Sequence, residues 1–162
     1  MTGRPAASQL VSFVMDEARA LNERRYDDWL ALFDSDGRYW VPLQGAAQPD
    51  EPGHASLADE DRILLGIRVE RLKNPRAHSM ERGVSSLHVL QPPQVEDAEP
   101  DCSDYRVVTP FTYAEVKGER QTILVGTWRH RLRLKDGRLK IVLKRVDLLN
   151  AGAAHEAIHL FP

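Results

Sequence analysis

Three long alternating runs joined by short turns limit what this chain can fold into more than any other feature. They read YRVVTPFTYAEVKGER, QTILVGTWRHRLRLK and RLKIVLKRVDLL, the first beginning at Tyr105. β-Branched and aromatic residues recur at alternate positions, the period of a strand with one buried face. Gly118 separates the first two runs and Asp136-Gly137 the last two. An Asp-Gly pair between alternating segments is a strong signal for a two-residue hairpin turn. Turns this short join antiparallel strands. A fourth run, GVSSLHVLQPPQVE, precedes these, so the pattern predicts a four-strand meander.

Ahead of the strands the period becomes helical. Leu10, Val11, Val14, Ala18 and Leu21 fall at spacings of three and four, with Ser8 as the expected N-cap. A shorter helix is expected in YDDWLALFDSDG. There Asp27 caps, Trp29, Leu32 and Phe33 face inward, and Asp36-Gly37 stops the helix. RYWVPL reads as a short strand. Residues 44–58 lack periodicity and read as a long loop suited to binding or contact. From Asp59, Ile63, Leu64, Ile67 and Leu72 mark a third helix, ended by Asn74-Pro75. Helices first and strands later predict an α+β fold, a curved antiparallel sheet wrapped around N-terminal helices.

Composition narrows the function classes. A chain of 162 residues is long enough to bury a core, and one domain over 1–162 is expected. A net charge of -2 offers no electrostatic attraction to nucleic acid or an anionic membrane. The single cysteine, Cys102, excludes an internal disulfide and a thiolate cluster, and fits a reducing, cytoplasmic setting. MTGRPAASQLVSF lacks the apolar run of a signal peptide, and no segment approaches the roughly 20 apolar residues of a membrane span.

Three segments carry a resemblance. DEARALNERRYDDWLALFDSDGRYWVPL resembles the opening of the small (beta) subunits of aromatic-ring-hydroxylating dioxygenases. The matching residues are Glu17, Arg19, Leu21, Glu23, Arg24, Asp28, Trp29, Leu30, Asp36, Tyr39, Trp40 and Pro42. SLADEDRILLGIRVERL is similar to the family's next segment, with Arg68 and Arg71 in its two arginine positions. LKIVLKRVDLLN is similar to its closing segment through Lys140, Ile141, Lys144, Val146, Leu148, Leu149 and Asn150. HSMERGVSSLHV, Arg82 included, departs from the family pattern, so the resemblance names no aromatic substrate.

The resemblance implies a cone-shaped fold of the nuclear-transport-factor-2-like kind and a mainly structural subunit that supports a catalytic partner. That partner is a large (alpha) subunit carrying a Rieske [2Fe-2S] cluster and a mononuclear iron, in a hexamer of three large and three small chains. A Rieske centre takes two cysteines and two histidines, which one cysteine cannot supply, so no cofactor is expected in this chain.

The chain's own residues leave a second reading open. Leu124, Gly126, Trp128, His130 and Leu132 share one strand face. Turned inward, that face sets His130 among apolar neighbours, which disfavour its charged form and suit it to a base. His88 and Tyr113 would lie nearby, giving a stand-alone isomerase or dehydratase acting on a small hydrophobic ligand. The alternative is a histidine satisfied by a backbone carbonyl in a closed core.

Arg129, Arg131 and Arg133 share the opposite face as a positive ridge, read as solvated or, given the large partner implied, as a protein contact. Arg68, Arg71 and Trp40 join them as interface candidates. HEAIHLFP at the end contains the zinc-hydrolase spacing His155, Glu156, His159. That chemistry requires a helix and a downstream third ligand; the resemblance implies a short apolar final strand instead, and no metal site is expected.

Overall fold

The chain runs through α1 (Ala7–Asn22), α2 (Tyr26–Ala31), β1 (Phe33–Pro42), a 3-10 turn (Gly45–Ala47), β2 (Ser56–Asp61) and α3 (Arg62–Lys73). It continues through β3 (Val84–Leu90), β4 (Gln94–Val95), β5 (Tyr105–Lys117), β6 (Arg120–Lys135) and β7 (Arg138–Leu148). The computed structural model describes residues 3–74, 83–96, 103–155 and 158–162. Arg82, Cys102 and Glu156, which figure in the sequence reading, lie outside the described residues.

The strands form one curved, open sheet in the order β2-β1-β7-β6-β5-β3, with β4 also paired to β5. The meander is as the alternation predicts, and the β6–β7 turn is Asp136-Gly137, both with positive φ. That is the backbone a type I′ turn demands. Pro92 and Pro93 split the fourth run into β3 and β4, since proline cannot donate to a ladder. One pair departs from the antiparallel expectation. β1 runs parallel to β7, so the sheet is mixed. At Gly126 an added Cβ would sit 2.2 Å from the Asp147 carbonyl oxygen, so β6 and β7 approach as they do only because this position lacks a side chain.

The helices cover the concave face, with α1 against β3 and β4 and α3 against β1. The predicted apolar stripe of α1 is buried at Leu10, Val14, Ala18 and Leu21, but its N-cap is Ala6 rather than Ser8. α2 begins at Tyr26 on Arg25, without the Asp27 cap, and ends at Ala31. Asp36-Gly37 does not stop it; both residues belong to β1, which is much longer than RYWVPL suggested.

The expected loop at 44–58 contains the 3-10 turn and the start of β2, which pairs with β1. α3 starts at Arg62, capped by the Asp61 side chain accepting from the Ile63 and Leu64 amides. Its buried residues are Leu65 and Val69, whereas Ile63, Leu64 and Ile67 face outward, Ile63 at 75% exposure. α3 is apolar around most of its girth, so periodicity alone could not say which stripe meets the core. No described helix is long and apolar enough to cross a membrane.

Candidate functional site

The inward faces of α1, β6 and β7 bring three charged or titratable side chains to one point in the core. Glu17 lies on the apolar stripe of α1, between Val14 and Leu21. His130 comes from β6 and Lys144 from β7, neighbours across the ladder. Lys144 Nζ donates to Glu17 Oε1 at 2.6 Å, and His130 Nε2 lies 2.6 Å from Glu17 Oε2. Trp29 Nε1 also donates to Oε1, at 3.0 Å. All three side chains of the charge centre are wholly out of solvent.

Burial on its own would raise the Glu17 carboxyl. Lys144 and His130 outweigh that and hold it well below the usual carboxylate range. Burial pushes the Lys144 ammonium down from its ordinary value while Glu17 opposes the shift. Glu17 is the group held charged, because two donors meet its carboxylate at 2.6 Å. Lys144 is further held by the Trp128 ring, whose centroid lies 3.4 Å from Nζ.

The inward face predicted for β6 is present: Leu124, Trp128, His130 and Leu132 are all buried. His88 and Tyr113 also lie close, with ring centroids 4.8 Å apart and His88 5.1 Å from Trp128. The neighbours of His130 are not purely apolar, however. Its partner is a carboxylate that the sequence reading did not place there, and its Nδ1 is buried with no partner among the described residues.

Burial and Lys144 hold His88 down at about 3, so it is neutral. Asn22 Oδ1 accepts the His88 backbone N–H at 2.8 Å and lies 3.0 Å from Nδ1, while Nε2 lies 2.8 Å from the Phe161 carbonyl; the ring's one proton is assigned to Nε2, the shorter of the two ring contacts. Burial raises the phenols of Tyr39 and Tyr113, keeping both as donors, to the Pro162 carbonyl and to Glu115.

The final residues close the interior. Residues 158–162 form no strand; they lie between helices and sheet, with Leu160 and Phe161 buried. Glu115 receives the Leu160 amide at 3.0 Å and lies 2.8 Å from His159 Nδ1. His155 instead turns Nε2 to the Ala151 carbonyl, 3.2 Å away. The two histidines of HEAIHLFP are therefore engaged separately and do not lie on a helix. No three His, Cys, Asp or Glu side chains among the described residues are grouped to hold a metal ion.

On the outer face, Arg129, Arg131 and Arg133 do align, but with acids between them. Arg129 donates to Asp147 at 2.9 Å, Arg131 lies 3.2 Å from Asp104, and Arg133 meets Asp34 at 3.1 Å and Asp36 at 3.2 Å. Lys135 donates to Asp34 as well, and that bond leads the interactions holding the carboxyl at about 2. Trp40 is buried within the chain, clamped between the Arg38 and Arg145 guanidinium groups, each 4.5 Å from its ring. Arg145 also binds the carbonyls of Gly45, Ala46 and Gln48, fixing the strap ahead of β2. Arg68 is engaged by Glu60 and the Leu160 carbonyl, whereas Arg71 lies exposed on α3 beside Ile63 and Ile67.

Beside the arginines lies an apolar patch. Leu87 and Val89 of β3, Ile123 and Val125 of β6 and Leu149 are between 41% and 80% exposed. Ala114 and Thr112 of β5 lie between the two strands in register, so the patch is continuous.

Comparison with known proteins fits this geometry. Residues 16–153 match the family described as ring hydroxylating beta subunit. The chain is 31% identical over 147 residues to the small oxygenase component of the p-cumate 2,3-dioxygenase system of Pseudomonas putida, covering 87% of this chain and 78% of that one. In fold it is similar to the beta subunit of benzoate 1,2-dioxygenase from Burkholderia mallei, with a TM-score of 0.72 at 22% identity over 91% of this chain and 93% of that one. It is also similar to a chain of naphthalene 1,2-dioxygenase, with a TM-score of 0.79 at 16% identity over 99% and 89%. Glu17, Trp29 and Lys144, which meet in the core, are among the residues on which the sequence resemblance rests. The chain belongs to the ring-hydroxylating beta subunit family.

Proposed function

We propose that this chain is the structural small subunit of a Rieske-type dioxygenase that hydroxylates an aromatic compound, folded as one domain and working in the cytoplasm. Beta subunits of this family pair with a large alpha subunit. The stoichiometry is three of each, and the Rieske cluster and mononuclear iron belong to the large chain. The observation that carries this reading is the closed interior. The acid–base constellation of Glu17, His130 and Lys144 is sealed from solvent, and the chain's own tail fills the space beside it. A base must reach a substrate proton at hydrogen-bonding distance, and His130 holds Glu17 through Nε2 while its free Nδ1 is buried out of a substrate's reach.

The outer sheet face supplies the contact with the large subunit. Arg129, Arg131 and Arg133 form its charged part, Leu87, Val89, Ile123 and Val125 its apolar part, and Arg71 a separate contact on α3. Arg68 and Trp40 act indirectly, by fixing the tail and the strap. An apolar core with a polar rim is the common anatomy of a protein interface. Co-expression with a large subunit of the same family, followed by size exclusion with mass measurement, tests the reading. A single species of three plus three chains is expected; separate elution of the two subunits overturns it.

A further inference from the structure

The space that Phe161 fills has the features of a ligand site. Trp29, Tyr39 and Tyr26 surround its ring at centroid distances of 4.4, 5.8 and 6.0 Å, and the Arg68 guanidinium carbon lies 4.3 Å from the ring centroid. Three side-chain donors from three different elements converge on consecutive carbonyls of the tail. Arg68 donates to Leu160 at 2.9 Å, His88 to Phe161 at 2.8 Å and Tyr39 to Pro162 at 3.0 Å. Buried donors of this kind carry a large penalty if left unmet, so whatever occupies the space must combine an aromatic ring with acceptor oxygens.

Covalent structure fixes the spacing. In Phe161 the ring is joined through Cβ and Cα to the carbonyl that His88 holds. Stripped of its nitrogen, that skeleton is a 3-phenylpropanoate. We propose that this interior is a binding site for 3-arylpropanoates, with Phe161 standing in for the ligand and a free ligand entering by displacing the tail. The carboxylate takes the donors of His88 and of the Arg68 nitrogen now on Leu160. The other nitrogen of Arg68 stays with Glu60, 2.9 Å away. Glu115 grips the His159 and Leu160 amides at 3.1 and 3.0 Å, on the near side of the ring, and so provides a pivot about which the last residues swing. The site goes beyond assembly and does not depend on it.

The test uses the full chain carrying Phe161→Ala, titrated with 3-phenylpropanoate and followed by calorimetry and thermal unfolding. The variant is expected to bind at least about tenfold more tightly than the native chain, because the tail no longer competes for the site. Its unfolding temperature should rise with ligand, while 3-cyclohexylpropanoate and 3-phenylpropanol bind less well. Adding Arg68→Gln should remove the preference for the carboxylate over the alcohol. A folded Phe161→Ala chain that does not bind, or that prefers the carboxylate equally without Arg68, overturns the proposal. Should that variant not fold, amide exchange in the native chain decides: 3-phenylpropanoate must accelerate exchange at Phe161 while His159 and Leu160, held by Glu115, keep their protection, and an unchanged Phe161 rate overturns it.

Discussion

Lys144 on β7 and Glu17 on α1 form a salt bridge of 2.6 Å in the centre of the molecule, with neither side chain reached by solvent. The pair ties the first helix to the last strand of the sheet. Burying two charges costs more than their attraction returns unless further hydrogen bonds complete the set. Here His130, Trp29 and the Trp128 ring complete it.

Removing one member should therefore hurt more than removing both. Lys144→Met is expected to lose about 3–5 kcal/mol, the usual cost of stranding one charge of a buried pair. Combined with Glu17→Leu, a good part of that loss should return. Urea unfolding of the two single variants and the double variant measures the cycle; additive losses would mean that the groups are not coupled.

Acid sensitivity has two sources with a common sign. His88 is depressed from 6.5 to about 3, so below pH 6.5 the unfolded chain takes up a proton that the folded chain refuses. Stability then falls as the pH drops from 6.5 towards 3, by at most about 1.4 kcal/mol per pH unit for one proton. Glu17 and Asp34 have lowered values, so their contribution is present above the ordinary carboxylate range and lost as the pH falls through the folded values, for Asp34 between 3.8 and about 2. His88→Gln should flatten the stability profile between pH 6.5 and 4.5 and leave the steeper acid limb. Identical slopes in that window would contradict the assignment.

Arg145 is the fastener of the strap between β1 and β2. Arg145→Lys keeps the charge but loses the planar guanidinium whose Nη2 reaches three carbonyls while Nε holds Asp147 and the group lies over Trp40. Faster amide exchange across residues 43–55 and a red-shifted tryptophan emission are expected, with a stability loss of about 2 kcal/mol, the scale of a few hydrogen bonds to a charged group. Protection equal to the native chain would show that the strap is held by something else.

The outer patch is exposed in the single chain, so polar substitution there should spare the fold. Val89→Glu and Ile123→Glu are expected to change stability by less than about 0.5 kcal/mol, as for ordinary surface positions. The same changes should reduce co-purification with the large subunit. Undiminished complex would move the contact elsewhere.

Much of this was legible in the residues, for identifiable reasons. The meander followed from alternation and an Asp-Gly turn, both local signals with one structural meaning. The core of α1 followed from a single stripe. α3 was legible as a helix but not by its buried side, because apolar residues lie on several faces and which one is buried depends on where β1 passes.

The charge centre was missed although its signs were present: Glu17 interrupts an apolar stripe and Lys144 occupies an inward position on β7. Each alone is an oddity. That they answer one another depends on a contact 127 residues apart in sequence, which no local pattern encodes. The tail was expected as a strand from the family resemblance, but its backbone amides find Glu115 rather than a neighbouring strand.

The most direct measurement is turnover by the assembled dioxygenase carrying His130→Gln in its small subunit. If His130 serves packing alone, each intact complex should retain its kcat/KM within about twofold, and only its thermal stability should fall. A general base contributes about 10²–10⁴ in rate. A loss of that size in a complex shown to be fully assembled would contradict a structural role for the small subunit.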